Sequence, residues 1–247
     1  MAIFAYSAGT MDIKEEGLIK GDIAKHWYYR AKLAALHRML AQRDPTLILD
    51  VGAGLGFFSG SLLESTNAWA ATCVDPGYPE DRDEERIGKP LFFRRSVGQS
   101  DADLVLLMDV IEHVQDDVGL VREYVNKVAP GTRFIVTVPA FMWLWSGHDV
   151  FLEHFRRYTL PGIERVLQAG GLTVELGCYF YTAVLPLVVL SRVADRFKWH
   201  GHEGARSQMR EFGSLPNAML WAVCRAELSI FRANRLAGLT AFVRAVK

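Results

Sequence analysis

The chain has 247 residues, half of them apolar, with 28 basic side chains against 28 acidic ones. This composition excludes a disordered chain and leaves room for one sizeable α/β domain with an insertion; the balanced charge excludes a broad nucleic-acid face, which needs a strongly basic surface. Three cysteines (Cys73, Cys178 and Cys224) are far apart and odd in number, which excludes a self-contained disulfide framework or a C-x-x-C metal site and fits a reducing cytoplasm.

The opening MAIFAYSAGTMDIKEEG lacks the basic and long apolar regions of a signal peptide. From Asp22 to Leu40, Ile23, Trp27, Leu33, Leu36 and Leu40 recur at helical spacing, and Asp44-Pro45 ends the helix. The apolar run 47–51 (LILDV) predicts a central parallel strand buried on both faces. A Gly-rich turn and a helix over 57–64 follow. A second strand over 69–75 ends at Asp75-Pro76, the polar stretch 77–90 reads as loop or short helix, and strands are predicted at 91–97 and 103–109. The next helix carries Val114, Val118, Val121, Tyr124, Val125 and Val128 on one face and stops at Pro130-Gly131. Residues 132–139 predict a fifth strand. Thr159 caps a helix running to Ala169, and 172–181 predicts a sixth strand. The uncharged run 176–191 is shorter than the ~20 residues of a spanning helix and contains Pro186. It reads as the end of a buried strand followed by a hydrophobic helix or lid, with peripheral membrane contact through 176–195 as a second reading. The final 238–247 predicts a seventh strand.

Strands alternating with helices at this spacing give a doubly wound, seven-stranded, mostly parallel sheet. The chain divides into an N-terminal helical lid segment (1–45), an α/β core that binds the ligand (46–181), a helical insertion or cap (182–237) and the last strand (238–247).

Open α/β sheets bind ligands beyond the carboxyl ends of their strands, where strand order reverses. The turn after the first strand is Asp50-Val51-Gly52-Ala53-Gly54-Leu55-Gly56. The dinucleotide spacing G-x-G-x-x-G fails in both registers, since Phe57 and Ser59 stand where the last glycine belongs. Asp50 is more telling, because a carboxylate here repels a diphosphate and attracts a cation. Asp75, at the end of the next strand, suits both hydroxyls of a ribose.

These stretches resemble the class I S-adenosylmethionine-dependent methyltransferases over about residues 20–180 plus the last strand. DVGAGLG (50–56) is similar to their first motif, VD (74–75) to their second, and MDVIEHV (108–114) to the fourth-strand motif of the branch that includes ubiquinone-biosynthetic methyltransferases. The resemblance implies a Rossmann-like fold with S-adenosylmethionine as cofactor and S-adenosylhomocysteine as product. Asp50 and the backbone of Gly52, Ala53, Gly54 and Gly56 would lie near the methionine moiety. Asp75 and Pro76 would lie at the ribose, Ser96 and Val97 beside adenine, and Met108, Asp109 and His113 along the cofactor. Many relatives carry an acid near Ser96, and this chain departs from them there. HWYYRAK (26–32) resembles a segment that closes over the cofactor, with Arg30 pairing the methionine carboxylate and Tyr28 or Tyr29 packing nearby. Ordinary packing of Trp27, Tyr28 and Tyr29 on the sheet is an equal reading.

Methyl transfer needs in-line positioning, and a hydroxyl acceptor gains from a base. O-methylation is the reading adopted, with His148 or His154 as base and Asp149 orienting one imidazole. Bracing of the loop by residues 154–158 is the plainer alternative. Arg156 and Arg157 read either as substrate-anion ligands or as ion-paired surface groups. Histidine spacing predicts no metal site. Phe141, Met142, Trp143 and Trp145, with residues 180–190, suggest a greasy pocket for a small acceptor, hydrophobic or lipid-linked; packing of the insertion explains them equally. The expected partner is a small molecule and not a nucleic acid, in the cytoplasm or at a membrane surface. A non-catalytic S-adenosylmethionine-fold binding protein, a nicotinamide-dependent oxidoreductase and a membrane-anchored scaffold are the competing readings.

Overall fold

The computed structural model describes residues 23–40, 43–198 and 213–247, of which 193–198 by backbone alone. The expectations about a leader, the helix start at Asp22 and the middle of the insertion lie outside the described residues.

A 3-10 turn, Ile23–Lys25, leads into α1 (Trp27–Met39). Then come β1 (Leu47–Val51), α2 (Phe57–Ser65), β2 (Ala70–Val74), β3 (Arg82–Arg86), β4 (Lys89–Arg94) and β5 (Leu104–Met108). A 3-10 turn at Ile111–His113 precedes α3 (Asp117–Lys127) and β6 (Arg133–Pro139). The chain continues through α4 (Gly147–Phe151), α5 (Leu160–Ala169), β7 (Thr173–Phe180), α6 (Leu185–Lys198), α7 (Ser214–Glu227) and β8 (Thr240–Val246).

One sheet joins the strands in the order β3-β4-β2-β1-β5-β6-β8-β7. The pairings β4-β2, β2-β1, β1-β5 and β5-β6 are parallel, whereas β3, β8 and β7 pair antiparallel at the two edges. The order reverses between β1 and β5, which opens a crevice at their carboxyl ends. Alternation along the strands feeds two cores. Ile48, Leu104, Leu106 and Cys73 face α1, α2 and α7, while Leu49, Val51, Val105 and Leu107 face α3 and α5. Covering on both faces is why β1 and β5 carry near-continuous apolar runs.

The structure corrects the sequence reading in three places. The stretch 77–90 is neither loop nor helix; it supplies β3, so the sheet has eight strands instead of seven. Its sequence, RDEER, is half-exposed or exposed throughout and forms a charged edge. The two-residue connection Ile87-Gly88 to β4 has φ of 50° and 74°, the primed turn normally signalled by Asn-Gly and here concealed by isoleucine. The second correction concerns α1, which starts at Trp27 after the 3-10 turn. The Trp27 N–H donates to Asn217 Oδ1 of α7 at 2.9 Å, so a distant helix caps this one. Third, α3 begins at Asp117 with Asp116 as its cap, and Val114 is buried ahead of the helix.

Thr159 caps α5 by accepting a hydrogen bond from the Gly162 N–H at 3.3 Å. Thr159→Ala is expected to cost about 1 kcal/mol, a fall of about 2–4 °C in Tm, read by thermal denaturation. The uncharged run 176–191 divides between the end of β7 and the start of α6. No helix among the described residues is long and apolar enough to cross a membrane.

Candidate functional site

Beyond β1 the chain turns three times through the left-handed region, at Gly52 (φ 66°), Gly54 (φ 52°) and Gly56 (φ 72°). The Gly52 N–H donates to the Val74 carbonyl at 2.7 Å, and the Gly56 N–H to that of Ala53 at 2.8 Å. A Cβ on Gly52 would stand 2.7 Å from Val110 Cγ2, and one on Gly56 would stand 3.0 Å from Cys73 Sγ. Gly52 therefore requires glycine on two counts, backbone conformation and space, and Gly56 on backbone conformation with little room to spare. Tyr78 closes the turn from the side by donating its hydroxyl to the Gly54 carbonyl at 2.6 Å.

Asp50 lies beneath this turn, 2% exposed, and its Oδ2 accepts from the Ser59 hydroxyl at 2.6 Å. Burial pushes its carboxyl up to about 7, against the opposing pull of the Ser59 hydrogen bonds. Asp75 is also raised by burial, and its Oδ1 accepts from the Gly77 N–H at 2.8 Å. Beside it an open groove of about 600 Å³ is lined by Pro76, Pro79, Glu80, Asp81, Arg95 and Ser96. Two of these residues, Glu80 and Asp81, are acids that come from the loop ahead of β3, far in sequence from Ser96. Val97 packs at the edge of the α3–α5 core.

Met108 is buried at the end of β5, and Asp109 follows with φ 57°. Asp109 Oδ1 accepts from the Thr137 hydroxyl at 2.9 Å, and its Oδ2 is ion-paired with Lys32 of α1. Lys32 was not anticipated. It is 1% exposed, four residues after Tyr28 on the same helix face, and it brings α1 to the mouth of the crevice. The Tyr28 ring stacks on Tyr181 at 5.2 Å, and Tyr29 packs edge-on against Phe57 at 5.5 Å. Arg30 lays its guanidinium over the Trp221 ring at 4.4 Å. Lys32 is the cation of α1 at this edge of the sheet.

On the far side, α4 and the loop after it bring His113 and His154 together, their ring centroids 4.4 Å apart. Asp149 is fully buried and closes a capping box with Ser146. It also binds His154 Nδ1 at 2.9 Å and accepts from Arg157 Nε at 2.5 Å. Burial alone would raise the Asp149 carboxyl; the hydrogen bonds from His154 and Arg157 reverse this and hold it well below the usual carboxylate range. Arg156 pairs with Asp117 at 2.8 Å, so both arginines are internal braces and not free anion ligands. Burial lowers His148 to about 4, which makes it a weak base near neutrality. His113 is likewise pushed far down, by burial first and by His154 second.

Glu112 completes the cluster. Its side chain is fully buried, and burial raises its carboxyl above the usual range. Neither of its oxygens has a hydrogen-bond partner among the described residues, nor does His113 Nδ1. Ligand atoms of Glu112, His113 and His154 lie within 4.8 Å of one another. The expectation of no metal site rested on spacing within the sequence, and folding brings together residues that spacing kept apart. Phe141 stacks on Tyr179 at 5.0 Å and on Trp143 at 5.7 Å, while Met142 and Trp143 are exposed beside the loop.

The chain matches the protein-family profile described as a methyltransferase domain over residues 24–176. An uncharacterized methyltransferase of Mycobacterium tuberculosis is 25% identical over 114 residues, 44% of this chain and 45% of the relative. The chain therefore spans less than half the length of the curated relatives it matches. An S-adenosylmethionine-dependent methyltransferase from Mesorhizobium loti superposes with a TM-score of 0.52 at 14% identity, covering 88% of this chain and 98% of that one. Phosphoethanolamine N-methyltransferase 2 of Haemonchus contortus, solved in complex with S-adenosyl-L-methionine, gives 0.52 at 15% identity, covering 88% of this chain and 52% of that one. At such identities the likeness is one of fold.

Proposed function

This chain belongs to the methyltransferase-domain family, and from that premise we propose that it transfers the methyl group of S-adenosylmethionine to the oxygen of a small, hydrophobic or lipid-linked acceptor. The observation that carries the reading is the glycine turn at the switch point, with one carboxylate beneath it and a second at the end of β2. The turn holds Gly52 in the left-handed region with no room for a Cβ beside Val110, and Asp75 stands just past β2 with Oδ1 on the Gly77 N–H. The cofactor, when bound, supplies an electrophilic methyl on a sulfonium.

The chain's own residues position the cofactor and prepare the acceptor. Asp50 faces the cationic methionine end, Asp75 takes the ribose hydroxyls, and the groove at Pro76 and Ser96 takes adenine with Glu80 and Asp81 near its amino group. Met108 and Asp109 flank the cofactor, and Lys32 of α1 ties the lid helix to Asp109. The His154–Asp149 pair activates the acceptor oxygen, with Phe141 and Trp143 supplying an apolar wall.

The test is release of S-adenosylhomocysteine across a panel of acceptors, beside calorimetric titration with S-adenosylhomocysteine and NAD. Binding of NAD alone would overturn the donor. Good turnover of small polar acceptors with negligible transfer to lipid-type ones would overturn the acceptor.

The raised Asp50 gives a pH signature. A cationic ligand binds the ionised carboxylate, and the ionised fraction grows as pH rises through about 7. Affinity for S-adenosylmethionine is therefore expected to rise by about 25-fold between about pH 5.5 and about pH 7.5. Asp50→Asn should weaken binding and flatten the profile; an unchanged slope in that variant would remove Asp50 from the role.

A further inference from the structure

We propose that the outer face of α7 is a self-association surface, on which a second copy of this chain packs about a two-fold axis lying between Ala222 and Val223. The inference goes beyond the methyl-transfer reading and stands whether or not that reading holds.

The argument begins with a helix that is apolar on two sides. On the inner side Leu220, Trp221, Cys224 and Leu228 pack toward α1 and the core beneath it. The opposite side is a stripe at helical spacing: Leu215, Met219, Ala222, Val223, Ala226 and, just past the helix end, Ile230. Leu215 is 70% exposed, Met219 62%, Val223 44% and Ile230 62%. A helix with two apolar faces belongs to an interior, and α7 has an interior on one side only. From Ser214 to Glu227 the charged residues are Arg225 and Glu227, and Glu227 turns inward to accept from the Thr182 and Ala183 N–H groups. The stripe itself carries no charge, which is the compositional mark of an interface core.

The stripe is its own complement. With two α7 helices antiparallel about that axis, Leu215 of one copy meets Ile230 of the other, Met219 meets Ala226 and Ala222 meets Val223, each contact occurring twice. Two alanines one turn apart let the helix axes close to about 8 Å, the near end of the usual range. Leu187 and Leu190 of α6 add to the exposed apolar surface, since Val188 and Leu220 root the two helices in the same core. Six large side chains at about 60–100 Å² apiece remove about 1,000 Å² from water over the two copies, where specific interfaces begin. A monomer rarely leaves so much contiguous apolar surface in water. A bilayer is a poorer match, because a helix lying in a membrane interface sets Lys and Arg along its polar face, whereas the face of α7 away from the stripe is apolar and packs toward α1. The pairing also braces the crevice. Asn217 of α7 accepts from the Trp27 N–H at 2.9 Å and donates to the Lys25 carbonyl at 3.0 Å, so α7 holds the start of the helix that carries Lys32 to Asp109.

Sedimentation equilibrium of the full-length protein between about 1 μM and about 200 μM tests the proposal, with a monomer–dimer equilibrium in the micromolar range expected. Met219→Lys sets an ammonium beside Arg225 of the partner subunit and is expected to weaken the dimer by at least about 30-fold. Val223→Lys brings two ammonium groups together at the axis and is expected to do the same. Both positions are exposed in the single chain, so far-UV circular dichroism of the variants should match the parent. Leu236→Lys removes an apolar side chain that is 90% exposed but lies off the stripe, and should leave the equilibrium unchanged. Dimerisation lost in both α7 variants and kept in Leu236→Lys supports the surface. A parent that stays monomeric throughout overturns it, whether or not the face then takes up anionic lipid vesicles. A dimer that survives either α7 variant, or fails equally in Leu236→Lys, overturns it too. Titration of the same samples with S-adenosylhomocysteine reports on the methyl donor separately, since a monomer that binds it overturns only the dimer.

Discussion

Asp75→Ala is expected to weaken S-adenosylhomocysteine binding by about 100-fold or more. A carboxylate accepting from two ribose hydroxyls contributes hydrogen bonds of about 1.5–3 kcal/mol each, and about 3 kcal/mol of net loss corresponds to roughly 150-fold. The apo fold should respond in a different way. Burial raises the Asp75 carboxyl above its unfolded value. A carboxyl raised on folding contributes stability that is present at low pH and lost as pH rises through its folded pKa. Near neutrality Asp75 is therefore no asset to the fold beyond its backbone hydrogen bonds with Gly77 and Gly54, and Asp75→Asn should leave Tm within a few degrees of the parent. Calorimetric titration and thermal denaturation on the two variants separate binding from stability. Less than about threefold loss of affinity in Asp75→Ala would refute the assignment.

Gly52→Ala combines two penalties at one atom. A φ of 66° costs an L-residue about 1–2 kcal/mol, and the new Cβ would stand 2.7 Å from Val110 Cγ2 in the α3–α5 core. Valine is stiff at its only side-chain torsion and the core around it is close-packed, so the clash moves backbone. A total of about 3 kcal/mol is expected, a fall of about 6–12 °C in Tm, with S-adenosylhomocysteine binding weakened because the backbone of the turn must move to relieve the clash. Adding Val110→Ala should recover part of the stability by relieving the clash, but not the φ strain, and should leave binding impaired. Binding within about threefold of the parent in the single variant would show that the cradle lies elsewhere.

The elements that were legible in the sequence are those whose signal is local. β1 and β5 announce themselves as uninterrupted apolar runs because both faces are covered, the glycine turn because its φ angles admit little else, and α5 because Thr159 caps it within three residues. The positions of Asp50 and Asp75 were legible for the same reason, since each stands at a strand end fixed by the pattern around it. β3 was hidden because a charged edge strand buries nothing and so has no hydrophobic period, and because Ile87 stands where the turn type favours Asn.

The rest belongs to the tertiary structure. Asn217 caps α1 across most of the chain, Lys32 meets Asp109, and Glu112 meets His154, none of them within the range over which helix or strand periodicity carries information. The sequence by itself determined the doubly wound sheet and the acidic, glycine-lined cradle, because backbone conformation and hydrophobic alternation are properties of neighbouring residues. Only the folded chain decided which histidine is held by Asp149 and which carboxylate is left buried without a partner, because those depend on the approach of segments that the sheet order brings side by side.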